Sequence, residues 1–373
     1  MKKEIFFFIG TEAELIKVFP VIMKCQDRGC TCNIIASGQN DLKKNRILEY
    51  IHLNGKYIEL SQESDIKKNA MGLFSWFVNT KRKVKKVLGK HFSIADMYGR
   101  VLVVHGDTVS TFMGALVGKQ LHMIVCHVEA GLRSHHLLNP FPEEIDRLLT
   151  SRIARVHFAP GQEAVVNLSK VKGKIINTQY NTIIDSLAVS REMPVITKSL
   201  ESVLEQNYFV FVMHRQENLM NKEFVSQTMQ YVREIAKKLK CVLILHKITE
   251  NVLSEMGLLR ELRNNSDFVL FHRVDYFDFM KMLENAEYVI TDGGSNQEEL
   301  HYMGKPCLIM RKTTERREGI GKNARMFGGE AEEILEFADE YLDLRSAPVS
   351  VERSPAEVIA EALRVNYCKV GRK

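Results

Sequence analysis

The feature that most restricts the fold is a rhythm of short apolar runs, each closed by a polar turn and followed by a stretch long enough for a helix. Such runs occur at residues 4–9, 33–36, 101–104, 124–126, 155–159 and 175–178, and again at 208–213, 241–245, 267–271, 287–291 and 306–310. Runs that are apolar at nearly every position predict strands buried on both faces, and helix-length spacers predict that these strands are parallel with helices on either side. The expectation is an α/β chain of two Rossmann-like domains, residues 1–185 and 186–350, joined through a linker at about 191–204. A terminal helical stretch, 351–373, is expected to fold back on the first domain. A chain of 373 residues exceeds one ordinary compact domain and suits two.

Several function classes drop out early. A dinucleotide-binding turn needs Gly-x-Gly-x-x-Gly after the first strand, and here Gly10 stands alone, so no nicotinamide cofactor is expected. A net charge of +6, from 52 basic and 46 acidic residues, suits an enzyme of anionic substrates and is no nucleic-acid signature. The basic run 81–86 lies on a helical stretch whose apolar positions Leu73, Phe74, Phe77, Val84, Val87 and Leu88 share one face with Trp76 nearby, so the lysines are read as a solvated face. The seven cysteines show no metal-ligand spacing, which predicts free thiols, no bound metal and a cytoplasmic location. No stretch is long and apolar enough to cross a membrane.

The polar residues gather at strand ends, where open α/β sheets bind ligands. Asp107 follows the run 101–104, and Glu129 follows 124–126 and opens the stretch HVEAGLRSHHLLNPFPEEIDR at 127–147. That stretch adds Arg133, Arg147 and a Pro-led helix start at Pro142 with Glu143 and Glu144 behind it. In the second half His214-Arg215-Gln216-Glu217-Asn218 follows one strand, and Thr291 to Glu299 carries Gly293-Gly294 into a helix, where backbone amides and the helix start favour a phosphate. Arg311 to Arg316 adds cationic donors at the next strand end.

These segments together closely resemble the UDP-N-acetylglucosamine 2-epimerase family, which shares the two-domain fold of the GT-B glycosyltransferases. The resemblance runs in order through GTEAELIK at 10–17, HGDT at 105–108, HVEAGLR at 127–133, PEE at 142–144, HFAP at 157–160, HRQEN at 214–218, DGGSNQEE at 292–299, GKPCLIMR at 304–311 and TTER at 313–316. It implies reversible conversion of UDP-N-acetylglucosamine to UDP-N-acetylmannosamine by anti elimination of UDP and its readdition to a 2-acetamidoglucal, without a cofactor. It also implies a homodimer that feeds cell-surface polysaccharide synthesis. Carried over by position, Asp107, Glu129 and Glu143 look like the acid/base carboxylates and His214 like the group that stabilises departing UDP. Lys17, Arg133, Arg215, Gly294, Ser295, Glu299 and Arg316 fall at substrate-binding positions, and Phe279 packs either on uracil or in the core.

The match has departures. The family's usual Gly-Thr-Arg-Pro-Glu reads Glu12-Ala13 in place of Arg-Pro, which removes a diphosphate-binding arginine and leaves Lys17 as the cation expected to compensate. Gly293 replaces the Ser of Asp-Ser-Gly-Gly, Gln39-Asn40-Asp41-Leu42 stands for Gln-His-Arg-Glu, and Leu245-His246-Lys247 stands for Pro-Val-His. The last two regions help bind a second, activating sugar nucleotide in bacterial members, so that control is in question here. The same carboxylates also suit a hydrolysing 2-epimerase or an epimerase of a related UDP-2-acetamido sugar. A GT-B glycosyltransferase would keep only the nucleotide half, and a regulatory binding protein would need none of the carboxylates.

Overall fold

A computed structural model describes residues 3–63, 70–135, 142–311 and 317–365, except for the side chains of Ala70 and Ser295. The chain divides into two compact units, residues 1–186 with 352–373, and residues 187–351.

Unit 1 alternates strands and helices in the order β1 (Glu4–Ile9), α1 (Glu12–Asp27), β2 (Thr31–Ala36), α2 (Arg46–Ile51), β3 (Tyr57–Glu59), α3 (Ala70–Leu88) and β4 (Val101–His105). It continues with α4 (Val109–Gln120), β5 (Ile124–Val128), α5 (Glu143–Ile153), β6 (Val156–Ala159), α6 (Gln162–Asn167), β7 (Lys174–Asn177) and α7 (Ile183–Glu192), which runs across the boundary. The seven strands pair in parallel in the order β3-β2-β1-β4-β5-β6-β7. The order reverses direction between β1 and β4, which opens a crevice at their carboxyl ends.

Unit 2 contains α8 (Lys198–Leu204), β8 (Tyr208–Val212), α9 (Gln216–Leu219), α10 (Lys222–Ala236), β9 (Lys240–Leu245), α11 (Lys247–Glu255), α12 (Leu258–Asn264) and β10 (Phe268–His272). After these come α13 (Tyr276–Asn285), β11 (Val289–Thr291), α14 (Gly294–Met303), β12 (Cys307–Ile309), β13 (Ala324–Met326) and α15 (Glu333–Glu340). Its six parallel strands follow the order β10-β9-β8-β11-β12-β13, with the reversal between β8 and β11. The last helix, α16 (Pro355–Arg364), belongs to unit 1. It packs on α1, buries Ile359, Ala360 and Leu363, and is tied there by Arg28 Nη2 donating to Glu357 at 2.7 Å and the Ala356 amide donating to Asp185 at 2.8 Å.

The central strands are apolar along most of their length because both faces are covered: every residue of β4, β5 and β8 is buried, His105 and His127 being the polar exceptions. One expectation fails in α3. Trp76, Val84 and Leu88 are buried, but Phe74 is 70% exposed. Two residues turn a helix by about 200°, so a buried Trp76 places Phe74 on the opposite face. The six described cysteines are buried free thiols. Among the described residues no helix is long and apolar enough to cross a membrane, and no group of three or more His, Cys, Asp or Glu could hold a metal ion.

Candidate active site

In unit 1 the polar groups collect at the carboxyl edge around the β1/β4 crevice. Glu129 is the first residue after β5 and sits in the left-handed backbone region at φ 61°, a conformation that costs a non-glycine residue about 1–3 kcal/mol. The surroundings hold it there. The Ala130 amide donates to Phe158 O at 2.9 Å, while Lys17 Nζ and Asn181 Nδ2 both donate to Glu129 Oε2. His105 Nε2 lies 3.6 Å from the same oxygen. Lys17, expected to answer a diphosphate, is therefore placed as the buried counter-charge of Glu129.

His127, at the core of β5, donates through Nε2 to Gly106 O at 2.7 Å; burial pushes its pKa down to about 3, so the ring is neutral with its proton on Nε2. This bond fixes the turn at Gly106, which has φ 71° and delivers Asp107 from the end of β4. Behind the turn, Glu14 is fully enclosed at the start of α1. One of its oxygens accepts from the Gly10 and Thr11 amides at 2.5 and 3.2 Å, and the other accepts from Thr108 and Thr111 hydroxyls. Burial raises Glu14 to about 7 against the pull of these donors. It thereby ties the end of β1 to the start of α4. Glu12, one residue into α1, accepts from Asn45 Nδ2 at 3.0 Å.

The first turn of α5 supplies the other carboxylates. Pro142 is its N-cap, and the Pro142 carbonyl accepts the Ile145 and Asp146 amides, both at 3.0 Å. Glu144 is completely buried; it accepts from Arg133 Nε, from the Ser134 amide at 3.1 Å and from Arg147 Nη1 at 3.4 Å. Burial alone would raise its pKa, but these partners outweigh burial and hold it below the usual carboxylate range. Arg147 also donates to Asp107, so one guanidinium links the two carboxylates. Glu143 keeps a buried Oε2 with no hydrogen-bond partner among the described residues. Asp146 is 6% exposed and is pushed up to about 7 by burial, then by the negative charges of Asp107 and Glu143. That mutual influence places Asp107, Glu143 and Asp146 around one spot.

In unit 2 the carboxyl ends of β8, β9 and β11 build a second cluster at the β8/β11 reversal. Asp292, just past β11, is completely buried and accepts the His214 amide at 3.0 Å, the Arg215 amide at 2.9 Å and Asn218 Nδ2 at 3.1 Å. His214 Nδ1 stands 2.9 Å from Asp292 Oδ1, and the His214 ring stacks on the His246 ring at 4.5 Å and 24°. Burial works to raise Asp292, but His214 and the two amides prevail and keep it low. The next residues begin α14, with Gly293 as N-cap without a side-chain cap and Gly294 as the first helical residue. Its open amides and helix dipole favour an anion. Glu299, one turn further, is buried and accepts from Asn296 Nδ2 at 3.1 Å. Arg215 lies against Glu217 at 2.8 Å, and Phe279 is half-buried on α13. Arg316 and the Ser295 side chain lie outside the described residues.

Thus Asp107 and Glu143 share one environment, Glu129 has its own cation, and His214 has its own carboxylate. Glu14, His105, His127, Asp146, His246 and Asp292 lie within the segments quoted above but carry no individual role there, and Asn181 lies outside them all. Asp292 offered the clearest signal, a lone carboxylate directly after an apolar strand and before two glycines.

Two open parallel sheets with polar carboxyl edges at their reversals define a protein of GT-B-like fold. Solved structures share it: UDP-GlcNAc 2-epimerase from Methanocaldococcus jannaschii in complex with UDP-GlcNAc and UDP has a TM-score of 0.72 and 28% identity, covering 98% of this chain and 99% of that one. The Staphylococcus aureus MnaA–UDP structure has a TM-score of 0.76 and 25% identity, covering 99% of this chain and 96% of that one. Residues 24–357 match the family model of UDP-N-acetylglucosamine 2-epimerase, and the enzyme of that name from Methanococcus maripaludis is 30% identical over 359 residues, 90% of each chain. The chain belongs to the UDP-N-acetylglucosamine 2-epimerase family.

Proposed function

We propose that this protein reversibly converts UDP-N-acetylglucosamine to UDP-N-acetylmannosamine without hydrolysis, by eliminating UDP and adding it back to a 2-acetamidoglucal. The observation that carries this reading is the environment shared by Asp107 and Glu143, with Asp107 backed by Arg147, beside Glu129 backed by Lys17 at the end of the neighbouring strand β5. A C2 proton with no neighbouring carbonyl is barely acidic, so its removal must accompany departure of the C1 diphosphate. Carboxylates serve the proton transfer on opposite faces of C2, and His214, oriented by Asp292, stabilises the charge that builds on the leaving diphosphate. The start of α14 at Gly294 and Ser295 cradles phosphate, Glu299 takes ribose hydroxyls, and Arg133, Arg215 and Arg316 serve as cationic partners. The complex of the M. jannaschii relative with UDP-GlcNAc and UDP supports the choice of sugar nucleotide. The reading places the enzyme in the cytoplasm as a homodimer.

The test is incubation of the purified protein with UDP-N-acetylglucosamine in heavy water, followed by NMR. UDP-N-acetylmannosamine carrying deuterium at C2 is the expected product. Free N-acetylmannosamine with UDP would instead establish the hydrolysing reaction, and an unlabelled, unchanged substrate would remove the epimerase reading.

A further inference from the structure

The His214 ring has two neighbours that fix it in different ways. Asp292 Oδ1 lies 2.9 Å from Nδ1, so Nε2 is the ring nitrogen turned away from that carboxylate. His246, the N-cap residue of α11 at the end of β9, lies over its face at 4.5 Å and 24°. No capping bond from the His246 side chain to the helix accompanies this position, so the ring is not spent on the usual work of an N-cap. The backbone beneath is anchored independently: the Thr249 hydroxyl donates to Met213 O, joining the first turn of α11 to the residue before His214.

We propose that His246 is a positioning residue for His214, its stacked ring holding the plane in which His214 presents Nε2 to the leaving diphosphate. The charged groups that act on His246 are His214, Arg273 and Asp292. Burial, then the neighbouring His214 and Arg273, hold His246 down to about 4, so a neutral ring faces His214 throughout the physiological range. A neutral aromatic face tolerates an imidazolium beneath it, whereas two charged rings at this distance would repel.

The inference rests on the role given to His214 above, and its test has a readout that needs no turnover. His246→Phe keeps a neutral ring over His214, and His246→Ala removes it. In the substrate-free protein the His214 ring-proton resonances should stay near their wild-type shifts in H246F and move downfield in H246A, where the ring current is lost. In the epimerase assay H246A should lose about tenfold to a hundredfold in kcat with KM changed less than twofold, and H246F should recover to within about threefold of wild type. Unfolding temperatures of both variants identify any loss that comes from folding alone. Wild-type kcat in H246A overturns the proposal, as does a folded H246F as impaired as H246A. Expected shifts in a protein that proves inactive on the sugar nucleotide would fault the activity reading and leave the stacking intact.

Discussion

Asp292 Oδ1 lies 2.9 Å from His214 Nδ1 while the same carboxylate accepts the backbone amides of His214 and Arg215. One buried charge therefore fixes both the main chain and the imidazole at the end of β8. Asp292→Asn should lower kcat about a hundredfold with little change in KM, because it weakens a donor aimed at transition-state charge. It should also cost about 1–3 kcal/mol of stability. The pH dependence follows from sign. The folded pKa of Asp292 is held below its unfolded value, so its contribution is complete above about pH 4 and is lost as pH falls through the folded value. Chemical denaturation of both proteins should accordingly show their difference shrinking below about pH 4.

Asp146 carries the opposite sign. Its carboxyl is raised to about 7 by burial and by Asp107 and Glu143, so the folded protein holds a proton that the unfolded chain has released. Stability should fall as pH rises from about 4 toward 7 on this account. Asp146→Asn removes that slope. It should raise the unfolding temperature at pH 8, by about 2–4 °C for each kcal/mol recovered, and leave it little changed at pH 4. An equal effect at both pH values, measured by calorimetry, would discard the explanation.

Glu129→Gln keeps the shape of the side chain and abolishes its proton chemistry. Deuterium incorporation at C2 should drop by about 10²–10⁴-fold, while UDP affinity by titration calorimetry stays within twofold.

Lys17→Met leaves the Glu129 carboxylate buried with Asn181 and His105 but without its cation. Breaking a buried pair from one side costs up to about 3–5 kcal/mol. The acid limb of the kcat/KM profile should move to higher pH, because a carboxylate that loses a neighbouring positive charge holds its proton longer. A profile superimposable on wild type would show that Lys17 does not tune Glu129.

Much of the architecture was legible because strands buried on both faces are apolar at nearly every position, as in β4, β5 and β8. The strands that escaped were β3 and β13. Each has three residues and lies at a sheet edge, where half-exposed positions such as Tyr57 and Arg325 erase the apolar signature. Phe74 was misplaced because hydrophobicity was read without the angle that Trp76 imposes. At the site, Asp107, Glu129, Glu143 and His214 stood out as polar residues at strand or helix boundaries. Glu14 and Asp146 did not, since acidic residues in a first helical turn are ordinarily solvent-facing partners of the dipole. Their burial arises from elements far along the chain, α4 for Glu14 and the Asp107 turn for Asp146. The His214–His246 stack was equally hidden, because adjacency of β8 and β9 is a property of the sheet and not of either segment.

The position of α16 has a consequence for biogenesis. The chain leaves unit 1 after Ser186 and returns to it at Glu352, so the face of α1 that receives α16 has no occupant until the intervening residues of unit 2 have been synthesised. At ordinary elongation rates the delay is roughly 10–30 s. Unit 2, started second, has all of its residues synthesised first, and the nascent protein presents a complete first sheet with one uncovered helix, α1, to chaperones for the whole interval.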